Sequence, residues 1–212
     1  MDTHLAADLR AATRTQHEQA EAMPFVGELM AGRVPVEAYV DLLAQHHAIY
    51  RALEAAEPFV RADVAGATML FDALARCSAI EHDLHILRGP SWREQGQTLP
   101  ATDRYVDRLH AVAGTWVGGY VAHAYTRYLG DLSGGLAIRS VLRREYGLSD
   151  DVLHFYTFPG IAKPKVFKDV YRARLDALPF DDAERARVTE EAGVAFRLNA
   201  DVFADLGAVY LS

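Results

Sequence analysis

Apolar residues recur at three- to four-residue spacing through almost every segment of this 212-residue chain, and no convincing run alternates strictly. Such a chain buries one stripe of each helix instead of one face of a sheet, so the expected fold is all-α. Half of the residues are hydrophobic, enough for one substantial core, and no internal repeat or low-complexity linker is present; a single domain over 1–212 is expected. Asp2 or Thr3 is positioned to cap a first helix running to about Ala22, and Pro24 to open a short one that stops near Gly32. Pro35 suits the first residue of a helix reading VEAYVDLLAQHHAIYRALE, which continues until Pro58; Thr68 suits the cap of another, which ends near Leu87 before RGPSW. A helical region follows from Pro100 to Tyr146 with a break near Gly114. Then come a loop, HFYTFPGIAKPK, and two final helices near 165–178 and 181–207.

One helical stretch, YTRYLGDLSGGLAIRS at 125–140, carries Gly130, Gly134, Gly135 and Asp131. Each interior glycine costs a helix about 0.5–1 kcal/mol relative to alanine, so three cost roughly 2–3 kcal/mol. Gly130 and Gly134 lie one turn apart and open a groove on one face, with Gly135 loosening the turn beside it. The glycines alone favour a close helix–helix crossing over a bound ligand. Asp131 favours the ligand, because a carboxylate in a packed groove must be hydrated or paired to escape a desolvation cost of several kcal/mol.

Arg10, Arg14, His17 and Glu21 form one stripe along the first helix, spaced four, three and four. A carboxylate one turn beyond a histidine can fix the ring's tautomer and leave Nε2 for a metal; the same pair is also ordinary on a solvated face. His82 and His85 in EHDLH have metal spacing, but no second cluster completes them, and they read as a solvated face. His46 and His47 point to different faces and read as core or packing residues. The densest basic group is Lys163, Lys165, Lys168, Arg172 and Arg174, in which Lys168 and Arg172 can grip one anionic edge.

A net charge of −7 argues against wholesale binding to nucleic acid or an anionic membrane. Cys77 is the only cysteine, which excludes an intramolecular disulfide and thioether attachment of a c-type heme. MDTHLAADLR has neither a basic leader nor an apolar run, and FADLGAVYLS is too short and polar to anchor; a soluble, cytoplasmic protein is expected.

His-x-x-x-Glu in the first helix, YLGDLSGG in a long later helix, FYTFPGIA and FKDVYRAR occur in that order. Together they resemble heme oxygenase of the soluble bacterial type, which opens heme to biliverdin, carbon monoxide and ferrous iron, commonly for iron acquisition. The resemblance runs from the first helix to AFRLNADVFADL. It implies a multi-helix fold with heme b, both substrate and cofactor, between the first helix and a glycine-kinked distal helix.

Carried over by position, the resemblance makes His17 the iron ligand and Glu21 its partner, with Arg10 and Arg14 beside them. Gly130 and Gly134 then lie over the iron. Asp131 organises a water network supported by Tyr50, Arg127 and Tyr125, and Ser133 packs at the bend. Lys168 and Arg172 meet the heme propionates, Phe196 walls the pocket with Asn199 as its neighbour, and Phe25 and Phe155 are looser candidates for the wall. The chain has no flavin or nicotinamide fingerprint, so electrons for dioxygen chemistry are expected from a ferredoxin, flavodoxin or flavoprotein reductase, with the basic face as one dock. The alternative reading is a heme carrier or sensor that leaves the porphyrin intact; a third is a helical interaction protein without a cofactor.

Overall fold

A computed structural model describes residues 4–95 and 97–211; the cap expected at Asp2 or Thr3 falls outside them. Among the described residues there are ten α-helices and no strand. They are α1 (Leu5–Glu21), α2 (Pro24–Met30), α3 (Val36–Glu54), α4 (Glu57–Ala62), α5 (Cys77–Arg88), α6 (Trp92–Gln95), α7 (Pro100–Val112), α8 (Val117–Tyr146), α9 (Pro164–Asp176) and α10 (Asp182–Tyr210).

Several helix starts depend on carboxylates supplied from far along the chain. The Ala6 amide at the head of α1 donates to Asp176 Oδ1 at 2.9 Å, from the last residue of α9. Glu54, ending α3, accepts from the Arg76 and Cys77 amides at 2.6 and 3.2 Å. Asp205 of α10 accepts from the Ala101 amide at 2.7 Å, within the first turn of α7. Each bond satisfies an amide that has no partner inside its helix. Among the described helix starts, only α10 shows a local side-chain cap, Asp181 accepting from the Glu184 amide at 2.8 Å.

The Glu54 contact explains one correction, and two prolines supply the others. Thr68 caps no α-helix: Gly66–Met69 and Asp72–Leu74 form 3-10 turns, and α5 starts only at Cys77, where Glu54 supplies the acceptor. Pro58 does not end α3, which stops at Glu54; it lies in the first turn of α4, where its missing N–H costs nothing. Pro35 precedes α3 as its cap residue instead of opening it. The break near Gly114 is present between α7 and α8.

α10 is the spine. It packs along α1, α8 and α7 and touches α2 and α3, while the other side of α3 lies on α5 and α7. One buried cluster runs from Leu5 and Leu9 of α1 through Tyr39, Leu43 and Tyr50 of α3 to Val202 and Leu206 of α10. The helix α8 continues without interruption through Gly130–Gly135 and ends at Gly147, whose φ of +65° suits glycine. Between Gly118 and Leu129 every residue except Tyr125 is buried, whereas Gly130, Ser133, Leu136 and Ala137 are exposed. The open half of α8 is thus the half that carries YLGDLSGG.

Candidate functional site

A cleft opens between α1 and this exposed half of α8, with α10 behind it. Its outer lobe, about 460 Å³, is bordered by Arg10, Arg14, Lys168 and Arg172. Its inner lobe, about 160 Å³, is lined by apolar side chains such as Leu42, Met30 and Ile138 together with Arg127 and Asp131. His17, Glu21, Thr126, Gly130 and Phe196 border both lobes. A larger depression of about 620 Å³ lies elsewhere against α1 and α10, bordered by Asp8, Gln16 and Arg197, but it contains no histidine and none of the convergent groups described next.

On the α1 side, the spacing of four places Glu21 over His17, with Glu21 Oε2 3.5 Å from His17 Nδ1. The Phe196 ring of α10 sits 5.8 Å from the imidazole centroid and tilts 60° to it. With Nδ1 turned to Glu21, Nε2 is left for a ligand. At the rim, Lys168 Nζ donates to Ser133 Oγ at 3.2 Å, and Arg172 pairs with Asp169 at 3.0 Å. Arg10 and Arg172 lie near the Tyr125 hydroxyl, which interacts with Thr13.

The glycines divide by function. A Cβ built on Gly130 or Gly134 meets nothing within 4 Å, so neither serves the helix crossing that their spacing alone would allow. A Cβ on Gly135 would meet Tyr156 Cδ1 at 2.8 Å, so that glycine accommodates a buried ring.

Deeper in the cleft, Asp131 Oδ2 accepts a hydrogen bond from the Tyr50 hydroxyl and lies 3.5 Å from Arg127 Nη2. Arg127 Nη1 donates to Asn199 Oδ1, and its guanidinium stands 5.1 Å above the Tyr50 ring. Four side chains from α3, α8 and α10 therefore form one network around the carboxylate, and Oδ1 has no partner among the described residues. Burial raises the Asp131 pKa, and Arg127 and Tyr50 only partly offset this. The carboxyl thus takes up a proton more readily than an ordinary aspartate.

The structure brings His17, Glu21, Arg10, Arg14, Tyr125, Gly130, Ser133, Lys168, Arg172 and Phe196 to the outer lobe, and Arg127, Asp131, Gly134 and Asn199 to the inner one. Tyr50 borders neither lobe and reaches the site through Asp131 and Arg127. Several expectations change. Tyr125 faces Thr13 and the basic rim instead of the Asp131 network. Ser133 is exposed and bonded to Lys168 instead of packed at a bend. Phe25 and Phe155 belong to the core, against Tyr210 and against His46, Tyr50 and Tyr156. Arg174 turns away from the cleft, donating to the Thr68 carbonyl at 2.8 Å and covering Phe71.

His46 is the residue that sequence reasoning missed. It lines the inner lobe at 4% exposure, and neither ring nitrogen has a hydrogen-bond partner among the described residues. Burial, reinforced by Arg127, pushes its pKa well below the usual histidine range. Its spacing of four from Tyr50 places both on one face of α3, a signal available in the sequence.

Comparison with known proteins identifies the family and the fold. The heme oxygenase family model matches residues 3–205. The chain is 40% identical to rat heme oxygenase 1 over 212 residues, covering 99% of this chain and 73% of the relative. It is 35% identical to heme oxygenase 1 of Synechocystis over 206 residues, covering 97% of this chain and 86% of that protein. The crystal structure of Synechocystis heme oxygenase-1 in complex with heme superposes with a TM-score of 0.93 at 34% identity, over 98% of this chain and 94% of that one. Heme oxygenase from Leptospira interrogans gives a TM-score of 0.90 at 32% identity, over 95% and 99% of the two chains.

Proposed function

The chain belongs to the heme oxygenase family and is a heme-degrading oxygenase, and from that premise we propose that it opens heme to biliverdin within the cleft between α1 and α8. The residues present fit heme as substrate and cofactor. Gly130 and Gly134 provide a wall without side chains, His17 offers Nε2 from the opposite wall, and four cations border the outer lobe. A tight helix crossing would leave no such space.

Heme supplies the iron at which dioxygen is activated and the porphyrin that is oxidised. His17 holds that iron from α1, with Glu21 biasing the ring tautomer through Nδ1. Being neutral, imidazole pushes less electron density onto the iron than a thiolate would. Arg10, Arg14, Lys168 and Arg172 meet the propionates and so set how the disc is turned. Gly130 and Gly134 would let the α8 backbone lie close against a bound porphyrin and keep side chains out of the space beside it. Asp131, steered by Tyr50 and Arg127, holds a proton at Oδ1 and delivers it into the inner lobe through water.

The observation that carries this reading is the Asp131 network, because binding alone gives no use to a largely covered carboxylate with a raised pKa lining the same lobe as the two glycines. Electrons come from a separate ferredoxin, flavodoxin or flavoprotein reductase docking at the face of Lys163, Lys165, Lys168 and Arg172. No helix among the described residues is long and apolar enough to cross a membrane. We assign the activity to the cytoplasm, releasing iron for reuse.

Hemin titration followed by reductant in air tests the proposal. A heme absorption band that decays as biliverdin appears supports it. A stable band would leave a carrier or sensor, and no band an interaction protein.

A further inference from the structure

EHDLH reads as a solvated surface in sequence, yet folding completes it. His154, from the loop 153–163, lies against His82 of α5, with ring centroids 4.2 Å apart and planes inclined by 59°. Between them Asp83 is wholly buried. Its Oδ1 lies 3.0 Å from His154 Nδ1 and 3.6 Å from His82 Nδ1 and accepts from the His154 amide at 3.1 Å. Its Oδ2 accepts from the Phe155 amide at 2.8 Å. One donor atom from each of the three side chains lies within 4.8 Å of the others, the sole such grouping of three among the described residues. His85 is exposed and takes no part.

We propose that His82, Asp83 and His154 form a binding site for a divalent first-row transition ion, separate from the heme cleft. With metal–ligand bonds of about 2.0–2.2 Å, ligand atoms at tetrahedral or octahedral angles stand roughly 3–3.5 Å apart, close to the two spacings around Asp83 Oδ1. Two imidazoles and one carboxylate suit zinc and its neighbours and not calcium or magnesium, which take oxygen ligands. Both histidine side chains are about half exposed, at 51% and 44%, so the ion has an entry path and room for water ligands. The buried Asp83, fixed by two backbone amides, supplies a preorganised anchor.

Occupancy would latch the loop onto α5. The next residue, Phe155, packs 5.8 Å from the Tyr50 ring, so the latch also braces the back of the Asp131 network.

The test is calorimetric titration of Zn²⁺ into the full chain without heme, paired with thermal melts. About one equivalent should bind and raise the melting temperature. His82→Ala and His154→Ala should each weaken that binding at least tenfold and abolish the shift, while His17→Ala, which removes the histidine on the α1 wall of the cleft, leaves both unchanged. His82→Ala changes no contact to the loop backbone, so it reports even if His154→Ala disturbs the loop. Loss of the equivalent in His17→Ala, wild-type binding in the two loop-site variants, or no binding by the wild type would each overturn the proposal and leave a hydrogen-bonded loop clip.

Discussion

Tyr50 of α3 donates its hydroxyl hydrogen to Asp131 of α8, joining residues 81 positions apart across the floor of the cleft. Arg127, one turn before Asp131, reaches the same carboxylate oxygen. Asp131 is therefore held through one carboxylate oxygen, and the residue lines the inner lobe.

Asp131→Ala should separate binding from chemistry. None of the groups at the outer rim or on α1 depends on Asp131, so hemin uptake should stay within about threefold of wild type. Biliverdin yield should fall at least tenfold, in keeping with the roughly 10²–10⁴-fold that a positioned proton donor contributes. Spectrophotometric hemin titration and chromatography of the product measure the two effects; a normal yield would remove Asp131 from the mechanism.

The two classes of glycine should respond oppositely to alanine. Gly130→Ala meets open space and should stabilise the chain by about 0.5–1 kcal/mol in chemical denaturation. It should also weaken hemin binding or turnover at least tenfold, because its methyl enters the space meant for the porphyrin and its ligand. Gly135→Ala drives a methyl against the buried Tyr156 ring and should destabilise by about 1–3 kcal/mol.

His17→Ala should still take up hemin in the cleft but with an altered absorption spectrum and little turnover. Added imidazole should restore a histidine-like spectrum. An unchanged spectrum without imidazole would show that another residue holds the iron.

His46→Leu should stabilise the protein by about 1–3 kcal/mol near neutral pH, since it replaces a buried imidazole without partners by a hydrocarbon of similar size. The folded form of His46 resists protonation while the unfolded form takes a proton below about pH 6.5, so this residue costs stability increasingly as pH falls. The variant's advantage in denaturation midpoint should therefore grow below pH 6.5, and a constant difference would contradict that account.

Glu191 predicts a separate acid transition. Burial alone would raise its pKa, but hydrogen bonds from His123 and Arg108 outweigh burial and hold it down to about 2. The stabilisation from this depressed pKa is present above the unfolded value of about 4.5 and is lost as pH falls from there toward 2. Each pH unit crossed between those two values removes about 1.4 kcal/mol. Melting temperature should fall through that window, and Glu191→Gln should flatten this part of the profile.

Helix content, the late loop and the cleft's two walls were legible because each is written locally, in apolar spacing, prolines and residues one turn apart. Thr68 misled because the start of α5 is served by the distant Glu54, which no local pattern marks, and Pro58 because a proline that could stop one helix sits equally well in the first turn of the next. Tyr125 and Asp131 show the same limit within the site. Both lie on α8 with Arg127, but only the approach of α3 and α10 brings Tyr50 to the carboxylate and Asn199 to Arg127, and leaves Tyr125 beside α1. His82 and His154, 72 positions apart, could not be paired before the loop was seen against α5.

Both walls of the cleft are mounted on α10. Ala192 and Ala195 are fully buried along it, and Gly193 faces α1, with its built Cβ 3.9 Å from Gln16 Nε2. The two walls therefore behave like jaws on one jawbone, and small buried residues along α10 let both seat closely against it. Enlarging Ala192 or Ala195, which have no exposed surface to expand into, would press α10 against its neighbours without altering a single group at the mouth, so substrate fit in this chain can drift through substitutions that no inspection of the cleft would flag.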